Sequence, residues 1–191
     1  MAVAAFDGND LRVVLEQPLP TTLEEQDAFQ IFVGSLIQSV DTTIVLGVKD
    51  PIQTGLNDIV VFGPPDLKVI PGVANDAALI FTVEGIVDAF KETPKGVIAV
   101  FDAPESTADV TFFDATALQD RILAKSNALG LTSITQACLT ETFFCGDDVN
   151  SNLLFDGLHP TQKVHSELAR AILEAVTPAP FRAACRVHWA V

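Results

Sequence analysis

Ile59-Val60-Val61-Phe62 is an unbroken apolar run, mostly β-branched, and Gly63-Pro64-Pro65 stops it at once. A strand with one wet face alternates apolar and polar residues. A strand apolar at every position has both faces covered, as in parallel sheets flanked by helices. Val3-Ala4-Ala5-Phe6, ended by Asp7-Gly8-Asn9-Asp10, reads as a second such strand, and Gly96 to Phe101, stopped by Asp102-Ala103-Pro104, as a third. Val110 to Phe113 reads as a further short one. Between these runs the apolar period changes. Thr22 to about Val40 carries Phe29, Phe32, Leu36, Ile37 and Val40 at helical steps, with Thr22 and Glu25 placed as a capping box. Asn75 to about Lys91 keeps Leu79, Val83, Ile86, Val87 and Phe90 in helical register. Asp114 is placed to cap a helix through Leu118, Ile122 and Leu123 that Gly130 ends. Residues 131–154 read as loop, and a last helix from Pro160 to Val176 holds Val164, Leu168, Ile172 and Val176 on one stripe. Strands alternating with helices predict an α/β fold with a parallel sheet and helices on both sides.

Residues 1–177 read as a single α/β domain without repeat or linker. Residues 178–191, P-A-P-F-R-A-A-C-R-V-H-W-A-V, lack the core's period and read as a tail. A chain of 191 residues that is 49% hydrophobic and 19% charged buries a sizeable core and is not intrinsically disordered. Its formal net charge of −14 repels phosphate backbones and anionic bilayers, so neither nucleic acid nor an acidic membrane surface is expected as a partner. The start, M-A-V-A-A-F-D-G, lacks the basic and long apolar regions of a signal peptide. The apolar window Phe29–Val48 is broken by Gln30, Gln38 and Asp41, and Ala77–Phe90 by Glu84 and Asp88, so neither reads as an integral membrane segment. No His/Cys cluster suggests zinc and no glycine-rich nucleotide loop is present, so no metal or cofactor is expected. Cys138 and Cys145 bound the loop C-L-T-E-T-F-F-C. They read either as free buried thiols or as a local disulfide, which would imply an oxidising compartment.

Chemistry concentrates in Phe155-Asp156-Gly157-Leu158-His159-Pro160-Thr161. Pro160 suits the first position of a helix and holds the preceding residue extended, which puts His159 at the helix mouth. Asp156, across a turn eased by Gly157, is close enough for its carboxylate to reach His159 Nδ1. That bond would fix the tautomer, stabilise an imidazolium and leave Nε2 as a general base. The alternative is an Asp turn whose histidine only caps or packs.

The block Asp156-Gly157-Leu158-His159-Pro160-Thr161 before an amphipathic helix resembles the last conserved block of the SGNH, or GDSL, ester hydrolases. Gly55 to Leu67, ending Gly63-Pro64-Pro65-Asp66-Leu67, is similar to the strand-then-Pro-Asp-Leu passage of lipase- and haemolysin-like members. Phe112-Phe113-Asp114 and the cysteine loop before Phe155 extend the resemblance over about residues 4–177. It implies a three-layer, flavodoxin-like α/β/α fold without its first strands and a serine-hydrolase mechanism on a small-molecule or lipid ester. His159 then resembles the general base, Asp156 its orienting acid, and Asn9 in Asp7-Gly8-Asn9-Asp10 the oxyanion donor. The family has Gly where Asp7 stands, and a carboxylate there would crowd the oxyanion. Exported relatives imply a secreted or periplasmic location, given an upstream signal segment.

The family's nucleophile is the serine of a Gly-Asp-Ser strand upstream of the Asn block, and here that block begins at residue 7. No Gly-x-Ser-x-Gly elbow replaces it. Ser35 falls in a helical stripe, and Ser106, Ser126, Ser133 and Ser151 lack a strand-to-helix setting. Cys145 would need to be a free thiolate. The chain is therefore expected to be catalytically deficient alone. Without the first strand, the Val3–Phe6 strand would be a bare edge open to self-association. Two rivals stand beside this: a non-catalytic remnant or binding module on the same scaffold, and a doubly wound α/β domain of another kind.

Overall fold

The computed structural model describes residues 2–5, 13–101, 108–140, 142, 144–146 and 148–177. Asn9 with its flanking Asp7, Gly8 and Asp10, Ser106, and the tail 178–191 with Cys185 and His188 lie outside them. The fold is mixed α/β. Strand β1 (Ala2–Ala5) pairs parallel with β2 (Asp58–Phe62), and β2 pairs parallel with β3 (Asp109–Phe113). Register runs Ala2 to Ile59 and Ala5 to Phe62 across the first pair, and Asp58 to Asp109 and Phe62 to Phe113 across the second. Parallel neighbours require long crossovers. Helix α1 (Leu23–Gln53) connects β1 to β2, and α2 (Ala77–Phe101) connects β2 to β3. Helix α3 (Ala115–Ala124) follows β3 and α4 (Gln162–Val176) closes the described chain. A second, two-stranded parallel sheet joins β4 (Ser133–Ala137) to β5 (Asn152–Leu154).

The unbroken apolar run in β2 is explained by two cores. Ile59 and Val61 pack with Val40, Ile44 and Val48 of α1 and Val83, Val87 and Phe90 of α2. Val60 and Phe62 pack with Phe113, with Leu118 and Ile122 of α3, and with Ala171 of α4. Successive strand residues point to opposite faces, so both faces of β2 are spent on core. Val61 and Ile44 are both 0% exposed.

Helix starts follow the side-chain chemistry. Thr22 and Glu25 form the expected capping box, with Thr22 Oγ1 accepting from Glu25 N at 3.2 Å and Glu25 Oε2 accepting from Thr22 N at 3.0 Å. Asp76 Oδ1 accepts from the N–H groups of Ala78 and Leu79 at the head of α2. Asp114 Oδ1 accepts from Ala117 N at 2.9 Å and so caps α3. Gly130, at φ +68, takes the left-handed conformation after the turns that follow α3, where a side chain would be strained.

Four expectations need correction. Gly96–Phe101 is not a strand but the last turns of α2. Its buried positions, Phe90, Pro94 and Ile98, recur every four residues, while Val100 is 74% exposed. A strand buried on both faces would have hidden Val100. Helix α1 runs on past Val40 to Gln53 because Ile44 and Val48 continue its stripe, and the hydroxyls of Thr42 and Thr43 bond back to Gln38 O and Ser39 O at 2.9 Å. This helix is long and apolar enough to cross a membrane, with a window of mean hydropathy 1.7. Its buried stripe, though, faces the sheet and α2. Residues 131–154 are not all loop, since they contain β4 and β5. Finally, α4 starts at Gln162 rather than Pro160, which instead forms an antiparallel bridge with Leu154.

Candidate functional site

Strand β5 runs straight into the acid–histidine block. At its end the chain turns through Asp156-Gly157-Leu158 and doubles back. Phe155 N donates to His159 O at 2.7 Å, Pro160 bridges Leu154, and Thr161 N donates to Leu153 O at 3.0 Å. Asp156 builds this turn with its own side chain. Oδ1 accepts from Leu158 N at 2.9 Å and from His159 N at 2.7 Å, the local bonding that suits Asp to turns. The same carboxylate meets the imidazole, with His159 Nδ1 at 2.8 Å from Oδ2 and 3.0 Å from Oδ1. One residue therefore folds the turn and orients the ring.

The electrostatics follow. Burial works against the Asp156 charge. The N–H groups of His159 and Leu158, with the His159 ring, outweigh it, so the carboxyl lies below its ordinary value. An ionised carboxylate on Nδ1 holds the proton there and leaves Nε2 as the basic nitrogen. The His159 side chain is 69% exposed, so its outer edge is open to a reactant. Among the described residues none hydrogen-bonds Nε2.

Asp156 and Gly157 also line a groove of about 1130 Å³, together with Pro71, Asn75, β4 residues and Ser151. Pro71 and Asn75 belong to the segment that leaves the carboxyl end of β2, the side on which ligands of open α/β sheets collect. That segment is clamped to α3. Gln119 accepts from Asp66 N at 3.0 Å and donates to Asp66 O at 2.8 Å, and Thr116 Oγ1 donates to Pro64 O at 2.8 Å. The Pro-Asp-Leu passage is thus anchored shortly before Pro71, which lines the groove along with Asp156.

Cys138 and Cys145 are joined by a disulfide, so Cys145 is no free thiolate. Cys138 N donates to Leu154 O and Leu139 N to Phe155 O, which pins the cysteine loop to the chain just before Asp156. The serines have other duties. Ser35 Oγ donates to Phe32 O within α1, and Ser151 Oγ, inside the groove, donates to Asp148 O at 2.7 Å. His165 is exposed on α4. Asp156 and His159 are brought together, and the Asn9 expectation falls on residues outside the described set. Sequence reasoning missed the groove walls at Asn75 and Ser151. Those depend on contacts between distant segments, for which the local sequence carries no signal. No protein-family model matches the sequence, and comparison with curated proteins finds no significant match.

Proposed function

We propose that this chain carries the acid–base half of an SGNH/GDSL-type ester hydrolase, with His159 as general base, Asp156 as its orienting acid and Asn9 as an oxyanion donor. The observation that carries the reading is the Asp156 carboxylate on Nδ1 of a ring whose side chain is 69% exposed. Two features add support. A groove lined by Asp156 and Gly157, though not by His159 itself, also takes in Pro71 and Asn75 of the segment leaving β2, and apolar helix faces cover both sides of β2, as a three-layer α/β/α family fold requires. In the reaction, Nε2 takes the proton of an attacking hydroxyl, the imidazolium is stabilised by Asp156, and the proton passes to the leaving alcohol. Among the described residues no hydroxyl bonds the ring, so the reading assigns the attack to a hydroxyl beyond them. The substrate is a carboxylic or lipid ester, and the disulfide fits an exported protein.

A second reading, a non-catalytic remnant that binds a ligand in the groove, is favoured by the lack of a hydroxyl on Nε2 among the described residues. One experiment separates them. Hydrolysis of p-nitrophenyl acetate and butyrate is measured on the pure chain and on the chain supplied with a Gly-Asp-Ser strand segment. The enzyme reading expects turnover at buffer background for the chain alone. It expects turnover with the segment that falls by at least ~10² in His159→Ala, the scale of general-base catalysis. Turnover indifferent to His159 would sink it, and turnover of the chain alone that requires Ser35, Ser106, Ser126, Ser133 or Ser151 would name a substitute nucleophile. No turnover under any condition, with ligand binding retained, selects the second reading.

A further inference from the structure

We propose that Thr161 is a positioning residue for His159, holding the ring in register with Asp156 from the far side of the turn; its meaning for catalysis rests on the hydrolase reading. Thr161 is 1% exposed and is the buried polar side chain among the described residues. It stands immediately before Gln162, the first residue of α4, where a threonine hydroxyl ordinarily accepts from the helix N–H groups. Here it makes no such cap. Its Oγ1 donates instead to Asn152 O at 2.9 Å, while its N–H donates to Leu153 O at 3.0 Å. The hydroxyl has been diverted from the helix it precedes to the strand it follows. Two bonds from one residue thus fasten the returning arm to successive carbonyls of β5.

The consequence is geometric. His159 lies between Asp156, which grips its backbone N–H and its ring, and Thr161, which fixes the arm behind it. Phe155 N to His159 O at 2.7 Å closes the same frame. With both ends held, the imidazole meets the carboxylate in one arrangement, and a proton stays on Nδ1. Releasing the Thr161 hydroxyl lets the arm slide along β5. The ring then samples positions off the carboxylate, where neutral imidazole in water favours the proton on Nε2.

The test reads the ring itself. Long-range proton–nitrogen correlation spectra of the ¹⁵N-labelled full chain report the His159 tautomer, assigned by the signal lost in His159→Gln. Wild type and Thr161→Ser, which keep the hydroxyl, are expected to show the single Nδ1–H tautomer. Thr161→Val, which keeps the shape without the donor, is expected to lose it and populate Nε2–H while still melting cooperatively. A Thr161→Val ring unchanged from wild type overturns the proposal. If Thr161→Val does not fold, Thr161→Ser decides. A wild-type-like ring supports the hydroxyl as the anchor, and a displaced tautomer in a folded Thr161→Ser assigns the role to the methyl and overturns the proposal. A wild-type ring already mixed in tautomer removes the acid–histidine pair, and with it both this proposal and the hydrolase reading. Because no turnover is measured, a failed reconstitution of esterase activity leaves this result standing, and an unchanged Thr161→Val ring leaves the hydrolase reading standing.

Discussion

At the residue scale the turn is economical, because the Asp156 carboxylate both builds it and holds the His159 ring by local bonding. Its ring contact, its two backbone contacts and its lowered affinity for a proton arise within three residues of His159. The pH dependence follows in sign. The folded carboxyl binds its proton less tightly than the unfolded one, so ionisation favours the folded state. That contribution is complete above the ordinary aspartate value of about 3.9 and is lost as pH falls through the lowered folded value. Asp156→Asn keeps an oxygen for the N–H groups of Leu158 and His159, but removes the charge and puts an NH2 donor where Oδ2 faces the ring. Urea unfolding should therefore show wild type more stable than Asp156→Asn at neutral pH, with the gap closing as pH falls past the ordinary aspartate value of about 3.9 and through the lowered folded value. A gap that stays constant between those conditions would show that the charge adds nothing to the fold.

At the element scale the same helix supports two descriptions that make opposite demands on its residues. As a membrane span, α1 would need apolar side chains all round; as a sheet cover, it needs one stripe. Val33, Val40, Ile44 and Val48 form that stripe, while Ile31 is 74% exposed. Ile44→Ala is accordingly expected to cost about 2–5 kcal/mol, the range for emptying a packed site. Ile31→Ala should stay within about 0.5 kcal/mol, as for exposed substitutions. Denaturant melts of the two variants check this, and equal effects would argue against α1 as a sheet cover. Sequence reasoning succeeded where period and cap agreed, as in the β2 run, the Thr22–Glu25 box and the Asp114 cap. It failed at Gly96–Phe101, where a β-branched run is composition without period, and burial alone shows that Ile98 belongs with Phe90. It failed again at β4, whose middle residues are exposed, so no apolar alternation marks it as a strand. The Asp156–His159 pair was legible because it is local. The groove beside it was not, because Pro71 and Asn75 reach it only after the chain has folded.

At the scale of the whole molecule, a terminal sheet strand and a strong like charge act against each other. Strand β1 pairs only with β2 among the described residues, so no described residue pairs with the N–H and C=O groups on its other side. Such an edge is a template for a second copy. The formal net charge of −14 opposes that approach at long range. Salt decides between them. The Debye length is about 10 Å at 0.1 M and about 3 Å at 1 M, so raising salt removes the repulsion while backbone pairing and apolar contact remain. The expected behaviour is a chain close to monomeric when dilute and at low salt, with a larger associated fraction as either concentration or ionic strength rises. Size-exclusion chromatography with light scattering across both variables measures it. A lysine introduced at Ala4 should weaken association, because an edge lysine resists being covered by a second strand. Association that weakens with salt would mean that ion pairs rather than the edge hold the copies together. A monodisperse monomer throughout, with a sharp cooperative melt, would mean that residues outside the described set already cover β1.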